Sequence, residues 1–320
     1  MTTSAPVIGV DIGGTKVAVG IVDGDGRILS QQRFPMIANS TPEAALQSVV
    51  TAIDSIRSVS ISQTISAIGL CAPGPLDPIT GVVVNPPNLP AWRSFPLAAK
   101  ITEAYKLPVK LDNDANAAAL AEARWGAARG YRYVFYATIG TGIGTGIVFD
   151  NRIYHGRTGA AGEGGHVSID YHGPKCHCGK LGCIEILAAG PAIGVRAREK
   201  LSSGGRSSII LDLAKGNVDA IDSHLVGEAY AAGDSLAREI LEETSHLLAI
   251  WLGTIVDLLD PDVIVMGGGV AAMLQPFFSD IKRQLPQWCV NSRASEIPLL
   301  MAHYGADAGI AGGAALVVST

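Results

Sequence analysis

The sequence has no excess of basic residues, few aromatics, little cysteine and no long apolar run. Its 24 Lys and Arg stand against 29 Asp and Glu, a formal charge of -5, so no broad positive field is present to hold a nucleic-acid backbone, and no local basic patch replaces it. Hydrophobic residues make up 48% of the chain, but Ala and Gly scattered among polar residues supply much of that share, as in a globular core. The most apolar stretch, Leu247 to Leu259, is broken by Gly253, Thr254 and Asp257 and falls short of the roughly 20 residues a membrane span needs. It is expected to be a buried helix, with no membrane partner. Met1 to Val10 lacks a basic start, an apolar core and a small-residue cleavage site, so nothing directs export, and a cytoplasmic location is expected. Of five cysteines, Cys176, Cys178 and Cys183 crowd into one loop while Cys71 and Cys289 stand alone, a poor layout for a disulfide framework; metal ligation explains the cluster better. Two familiar nucleotide signatures are also missing. No Gly-Lys-Ser/Thr closes a P-loop, and the glycine run Gly140 to Gly146 leads into a strand instead of opening a helix, which disfavours a nicotinamide enzyme.

What is present is an alternation of α and β signals over 320 residues, long enough for two coupled domains. Val7 to Asp11 and Lys16 to Val22 are apolar runs around Gly13 and Gly14, and Ile28 to Gln32 follows a Gly-Asp-Gly turn; three strands are predicted. Pro42 to Ile56 carries a helical period, Ile65 to Leu70 is a buried strand, and Ala72 to Pro96 is an irregular loop rich in Pro, Gly and Asn. Val109 to Asp112 is a short strand and the Ala-rich Ala115 to Trp125 a helix, so Asp114 sits where strand hands over to helix. Tyr133 to Thr138 and Ile147 to Phe149 are strands around the second glycine loop. Pro191 to Leu201 and Ala231 to Asp260 are helical, Val263 to Met266 is a buried strand, and Ala308 to Val318 forms a last helix.

Three glycine loops suggest phosphate chemistry. Asp11-Ile12-Gly13-Gly14-Thr15-Lys16 places two glycines where backbone N–H groups can meet phosphate oxygens, with Thr15 and Lys16 adding a hydroxyl and a cation and Asp11 suited to a hydrated Mg²⁺. A Gly-Gly-Thr after a strand serves equally well as a plain turn. Thr138-Ile139-Gly140-Thr141-Gly142-Ile143-Gly144-Thr145-Gly146 supplies a second strand-flanked loop with hydroxyls among its glycines, and a polyphosphate needs a clamp on both sides. Gly267-Gly268-Gly269 after a buried strand allows close backbone approach to an adenine or ribose, or only a tight strand-to-helix turn. Asn113-Asp114 offers an amide to orient a hydroxyl and a carboxylate to take its proton, although Asn and Asp are also favoured helix caps. Cys176, Cys178 and Cys183 with His166 upstream form a Cys₃His set suited to tetrahedral zinc without an open position, hence a structural metal. His172 and His177 are alternative donors, but the short Cys-Xaa-Cys hinge is expected to turn His177 outward.

In this order and at these separations, the three loops and the Glu163-Gly-Gly-His166 and cysteine motifs resemble the ROK family of sugar kinases and repressors over essentially the whole chain. The resemblance implies an α/β, actin-like (ribonuclease H-like) ATPase fold of two domains closing on an interdomain active-site cleft. The smaller domain is expected over 1–114, completed by a C-terminal helix at about 305–320, and the larger, with the zinc loop, over 115–304. It implies Asp114 as general base, with Asp112 the alternative, and Gly74, Asn88, Asn113, Glu163, His166 and Glu185 against the sugar. ATP with Mg²⁺ falls to Asp11, Gly13, Gly14, Thr15, Lys16, Thr138, Gly140, Thr141, Gly142, Gly144, Gly267, Gly268 and Gly269, and Zn²⁺ to His166, Cys176, Cys178 and Cys183. The reaction expected is phosphorylation of a hexose 6-hydroxyl, glucose first, with N-acetylmannosamine, mannose or fructose as alternatives and polyphosphate as a second donor to try. A homodimer or homotetramer is implied. The family's repressors carry an N-terminal helix-turn-helix, for which a phosphate loop starting at Asp11 leaves no room, and intact loops with Asp114 argue against a silent sugar-binding protein.

Overall fold

β-Branched residues at alternate positions make the first strand. In β1 (Val7–Ile12), Ile8, Val10 and Ile12 join one core while Val7 joins another, the period-2 division of a strand covered on both faces. The computed structural model describes residues 5–59, 64–203 and 207–318. β1 is followed by β2 (Lys16–Val22), β3 (Ile28–Pro35), α1 (Pro42–Val59), β4 (Ile68–Ala72), the short β5 (Leu76–Asp77) and β6 (Val82–Val83), and α2 (Leu97–Tyr105). Next come β7 (Val109–Asn113), α3 (Asp114–Arg124), β8 (Tyr133–Ile139), β9 (Ile143–Phe149), β10 (Arg152–Ile153), α4 (Ile184–Ala188), α5 (Gly190–Ser202) and α6 (Ile209–Leu213). The chain continues through α7 (Ser223–Ala231), α8 (Ser235–Leu259), β11 (Val263–Gly267), α9 (Gly269–Leu274), α10 (Phe278–Gln284), β12 (Leu299–Met301) and α11 (Ala308–Val317). Among the described residues no helix is long and apolar enough to cross a membrane.

Two compact units emerge, one of Met1–Tyr136, Gly146–Gly162 and Ala302–Thr320, the other of Ala137–Thr145 and Glu163–Met301. In the first, a five-stranded sheet has the order β3-β2-β1-β4-β7, with β1, β4 and β7 parallel. One face is filled by α1, α2 and the fully buried Trp92, which stacks on Phe95 and donates its indole N–H to Pro42 O at 3.2 Å. That packing leaves Trp92 in the core. The other face takes α11, which lies so close that a Cβ on Gly9 or Gly69 would overlap the carbonyl oxygens of Ile310 and Gly313. Glycines on both surfaces are what let a helix sit this low on a sheet. α3 groups with this unit, although the sequence division at 114/115 puts it on the other side, because it packs along α11 and is tied to it by Arg124 Nη1 donating to Ala315 O at 2.6 Å and Val318 O at 2.9 Å. Of the C-terminal helix expected at about 305–320, residues 319–320 lie outside the described residues.

The second sheet has the order β10-β9-β8-β11-β12, and β8 and β9 contribute residues to both units. In the second unit α8 is the central helix, capped by Asp234 and packed by α4, α5, α7 and α10. The helix predicted over Ala231 to Asp260 is interrupted at its start: Gly233, at φ 88°, ends α7's connection before Asp234 caps α8. The second glycine loop is also shorter than its composition suggests. Gly140 N–H closes a turn on Gly142 O at 2.9 Å, and Gly144 and Gly146 belong to β9. Gly146 is a packing glycine, since a Cβ there would lie 2.6 Å from Ala119 Cβ and 2.8 Å from Ala115 O of α3.

Candidate active site

Three parallel strands of the first unit end side by side. The register places Asp11 of β1 opposite Cys71 of β4 and Cys71 opposite Asp112 of β7, so the loops that follow, carrying Gly13 to Lys16, Gly74 and Asn113-Asp114, share one edge of the sheet. Ligands of open α/β sheets bind at the carboxyl ends of such strands. Asn113 is the N-cap of α3, its Oδ1 accepting from Ala115 N at 2.9 Å and Asn116 N at 3.3 Å. The cap and the ligand reading coexist, because the amide Nδ2 is turned toward Gly74, where a Cβ would come to 3.7 Å.

Asp114 is the first residue of α3 and its Oδ1 accepts from Ala115 N at 2.8 Å. The residue is open to solvent on one side. Dense protein on its other sides, with the negative charge of Asp11 adding to the effect, raises the carboxyl to about 6. Asp112 is 3% exposed, with Oδ1 accepting from Asn113 N at 2.8 Å and Asn116 Nδ2 at 3.2 Å and Oδ2 meeting His155 Nε2 at 2.6 Å. Of the two residues, Asp112 is buried with both oxygens engaged, whereas Asp114 is exposed. Asp11 is half-buried, and desolvation raises its pKa in spite of Lys16. A partly buried carboxylate at this edge fits a hard cation held through oxygen. In the first glycine loop Gly13 N–H donates to Lys16 O at 2.9 Å, while Thr15 and Lys16 are exposed. Gly14 touches the next loop, a Cβ there lying 2.7 Å from Asn88 O.

The second unit holds the other predicted residues in two places. A cavity of about 1030 Å³ opens between the β8–β9 turn and helices α5, α7 and α9, with Gly140, Thr141 and Gly269 on its wall. A Cβ on Gly140 or Gly269 would meet nothing within 4 Å. Gly267 ends β11 in the core, and Gly268, at φ 88°, packs against the Ile139 backbone. Neither they nor Thr138 and Gly144 line the cavity.

Elsewhere in this unit the exposed Glu163 precedes a single turn of 3₁₀ helix, Gly164–His166, which His166 ends. That turn is pinned from two sides, Gly164 N donating to Thr145 Oγ1 at 2.8 Å and Trp251 Nε1 donating to Gly164 O at 3.0 Å. Glu185, in the first turn of α4, accepts from Ile143 N at 2.9 Å through Oε2, and its Oε1 lies 3.9 Å from His166 Nδ1. The donor atoms of His166, Cys176, Cys178 and Cys183 all lie within 4.8 Å of one another. Cys178 and Cys183 sulfurs are 3.6 Å apart, as are Cys176 Sγ and His166 Nδ1. A tetrahedron with Zn–S near 2.3 Å has edges of about 3.8 Å. Burial and the two neighbouring thiols push Cys183 up to about 12, a repulsion that a dication at the centre relieves. The set fits zinc; His177 is exposed and, like His172, is not one of the four.

The ROK family model matches residues 7–320. The chain belongs to the ROK family. A ROK relative, the glucokinase of Streptomyces coelicolor, is 33% identical over 311 residues, covering 97% of this chain and 96% of that protein. The N-acetylmannosamine kinase of Shigella boydii is 31% identical over 317 residues, 99% of this chain and 98% of that one. Among solved structures, the ROK family glucokinase from Streptomyces griseus in complex with glucose and AMPPNP superposes with a TM-score of 0.80 at 34% identity, covering 97% of this chain and 98% of that chain. The architecture is accordingly the actin-like ATPase fold of ROK sugar kinases. Within this ROK chain, sequence reasoning passed over the cavity's walls, Pro191, Val195 and Arg198 on α5, Tyr230 on α7 and Met273 on α9. The small residues Gly190 and Gly194, one helical turn apart, were the signal available. His155 and Trp251 were passed over as well, and nothing local in the sequence marks either.

Proposed function

We infer that the protein is an ATP-dependent sugar kinase that phosphorylates the 6-hydroxyl of a hexose, glucose in the first place. The observation that carries the reading is Asp114, a carboxylate on an exposed residue raised to about 6, beside Asn113 and Asp11 at the carboxyl edge of a parallel sheet. A general base works best with a pKa near the operating pH, and phosphoryl transfer to an alcohol asks for little beyond such a base, positioning and charge stabilisation. The sugar oxygen bonds to the γ-phosphorus as the bond to the β–γ bridging oxygen breaks; its proton passes to Asp114, and ADP leaves. Asn113 Nδ2 and Asn88 in the first unit are groups suited to hydroxyls, and so, within the second unit taken by itself, are Glu163, His166 and Glu185. Charged acceptors hold hydroxyls more strongly than neutral ones. Asp11 is the residue that would hold Mg²⁺, which supplies charge neutralisation at the phosphates. The zinc donors hold the loop that carries Glu163 and Glu185.

Initial rates of ADP release with MgATP over a panel of glucose, N-acetylmannosamine, mannose and fructose test the reading, with polyphosphate as a second donor. Glucose is expected to give the highest kcat/KM, and no sugar-dependent release with any of them rejects the kinase. The cavity on Gly140, Thr141 and Gly269 suits the nucleoside, being apolar, concave and bordered by a glycine turn. Gly269→Leu is expected to raise the KM for ATP at least about tenfold, roughly 1.4 kcal/mol, with sugar KM unchanged. Because a Cβ at Gly269 meets no protein atom within 4 Å, the melting temperature is expected to hold, and calorimetry beside the kinetics checks both halves.

A further inference from the structure

The contact between His155 and Asp112 lies directly behind the Asn113-Asp114 turn. His155 follows β10 and is 42 residues beyond Asn113 in the chain (155 − 113), yet its Nε2 reaches Asp112 Oδ2 at 2.6 Å. The Asp112 side chain is 5% exposed and that of His155 31%. Oδ1 of the same carboxylate accepts from the Asn113 backbone N–H and from Asn116 Nδ2. The geometry points to His155 as a positioning residue for the kinase reaction, acting through Asp112 to set the orientation of the Asn113-Asp114 turn; this rests on the sugar-kinase reading with Asp114 as base.

The physical argument concerns one torsion. A carboxylate turns about its Cβ–Cγ bond with two-fold freedom, and only one plane directs Oδ1 at both the Asn113 N–H and Asn116 Nδ2. A donor on Oδ2 locks that plane. With the ring proton on Nε2 all three neighbours donate to the carboxylate, and the short contact raises the pKa of His155, opposing the effect of its partial burial. Asn116 is committed to the same arrangement: its Oδ1 is buried without a hydrogen-bond partner, and its Nδ2 is on Asp112. Without His155 the buried carboxylate lacks its third partner, an expensive state, and it relieves this by rotating. That rotation loosens the hydrogen bond to Asn113 N–H, one peptide before Asp114. The displacement reaches the atom that must meet a hydroxyl proton, where about 1 Å of misplacement is worth up to a hundredfold in rate.

His155→Phe and His155→Gln separate positioning from bulk. Phe keeps the ring and removes the donor; Gln places an amide N–H near the former Nε2. His155→Phe is expected to lower kcat about tenfold or more with the KM for ATP within about twofold, and His155→Gln to recover kcat to within about threefold of wild type. A kcat for His155→Phe within twofold of wild type overturns the proposal, as does equal impairment of the Phe and Gln variants, which would mean that the donor is not what matters. Should His155→Phe not fold, His155→Asn, too short to reach Asp112 Oδ2, takes its place against the same criteria. Wild type is run alongside: turnover in wild type with no difference among the variants sinks only the role of His155, whereas absence of turnover in wild type sinks the kinase reading and this proposal with it.

Discussion

Asp114→Asn is expected to lower kcat by about a thousandfold, within the range of roughly 10²–10⁴ that a general base contributes, while the KM for ATP changes little. Asn preserves the side chain's shape and the oxygen that accepts from Ala115 N, so α3 starts as before and only proton acceptance is lost. Protonation of wild-type Asp114 has the same consequence. A carboxyl raised to about 6 is ionised above that pH, so kcat/KM is expected to fall about tenfold per unit below pH 6, and this acidic limb is expected to be missing from whatever activity the Asn variant retains. The stability effect has the opposite sign. The native state holds the proton more tightly than the unfolded chain, so the contribution of Asp114 to stability is present below the unfolded carboxylate value, near 4, and is lost as pH rises through 6. At pH 7 Asp114→Asn is therefore expected to raise the melting temperature while abolishing most turnover. A variant retaining activity within a few-fold would remove Asp114 from the role of base, and rate profiles with thermal unfolding at pH 5 and pH 7 measure both effects.

Cys183→Ser is the second large change. Cys183 is fully buried, stands next to α4, and is two residues from Glu185, whose carboxylate reaches both Ile143 N–H and the neighbourhood of His166. Removing one thiolate from a closed four-ligand set is expected to reduce zinc from one per chain to below about 0.2 and to cost about 3 kcal/mol or more. At about 2–4 °C per kcal/mol for a unit of this size, the melting temperature falls by roughly 6–12 °C. Sugar-dependent turnover is expected to drop at least tenfold, because Glu163 and Glu185 sit on the segment the ligands hold. His177→Ala serves as the control: exposed and outside the four, it is expected to change neither metal content nor rate. Mass-spectrometric metal analysis with unfolding curves measures the outcome, and full zinc retention in Cys183→Ser would exclude that sulfur as a ligand.

Elements whose cause is local were legible in the sequence. The alternation in β1, the Ala-rich run of α3 and the spacing of the three cysteines each carry their reason within about a dozen residues, and the structure has β1 at Val7–Ile12, α3 from Asp114 and the four donors clustered. Glycine was the ambiguous letter. Gly140 and Gly269 face open space, Gly146 and Gly268 avoid collisions with neighbouring backbone and side chains, and Gly13 closes a hairpin; a run of glycines shows none of these differences, which arise from what packs against each one. The apolar run at Ile65 predicted a strand three residues before β4 begins at Ile68, because apolarity marks burial and not the start of ladder hydrogen bonds. The cavity walls and the His155 contact were illegible for a related reason: α5, α7 and α9 lie far apart in the chain, and only the folded topology makes neighbours of them or of His155 and Asp112.

The position of α11 bears on how the protein is made. β1 leaves the ribosome early, but the helix that covers Val7, Ala18 and Val22 with Ile310 and Ala314 is translated about 300 residues later, about 15–60 s at 5–20 residues per second. Through that interval one side of the nascent sheet lacks the helix that its glycines Gly9 and Gly69 are placed to receive. The first unit, though begun first, is finished last.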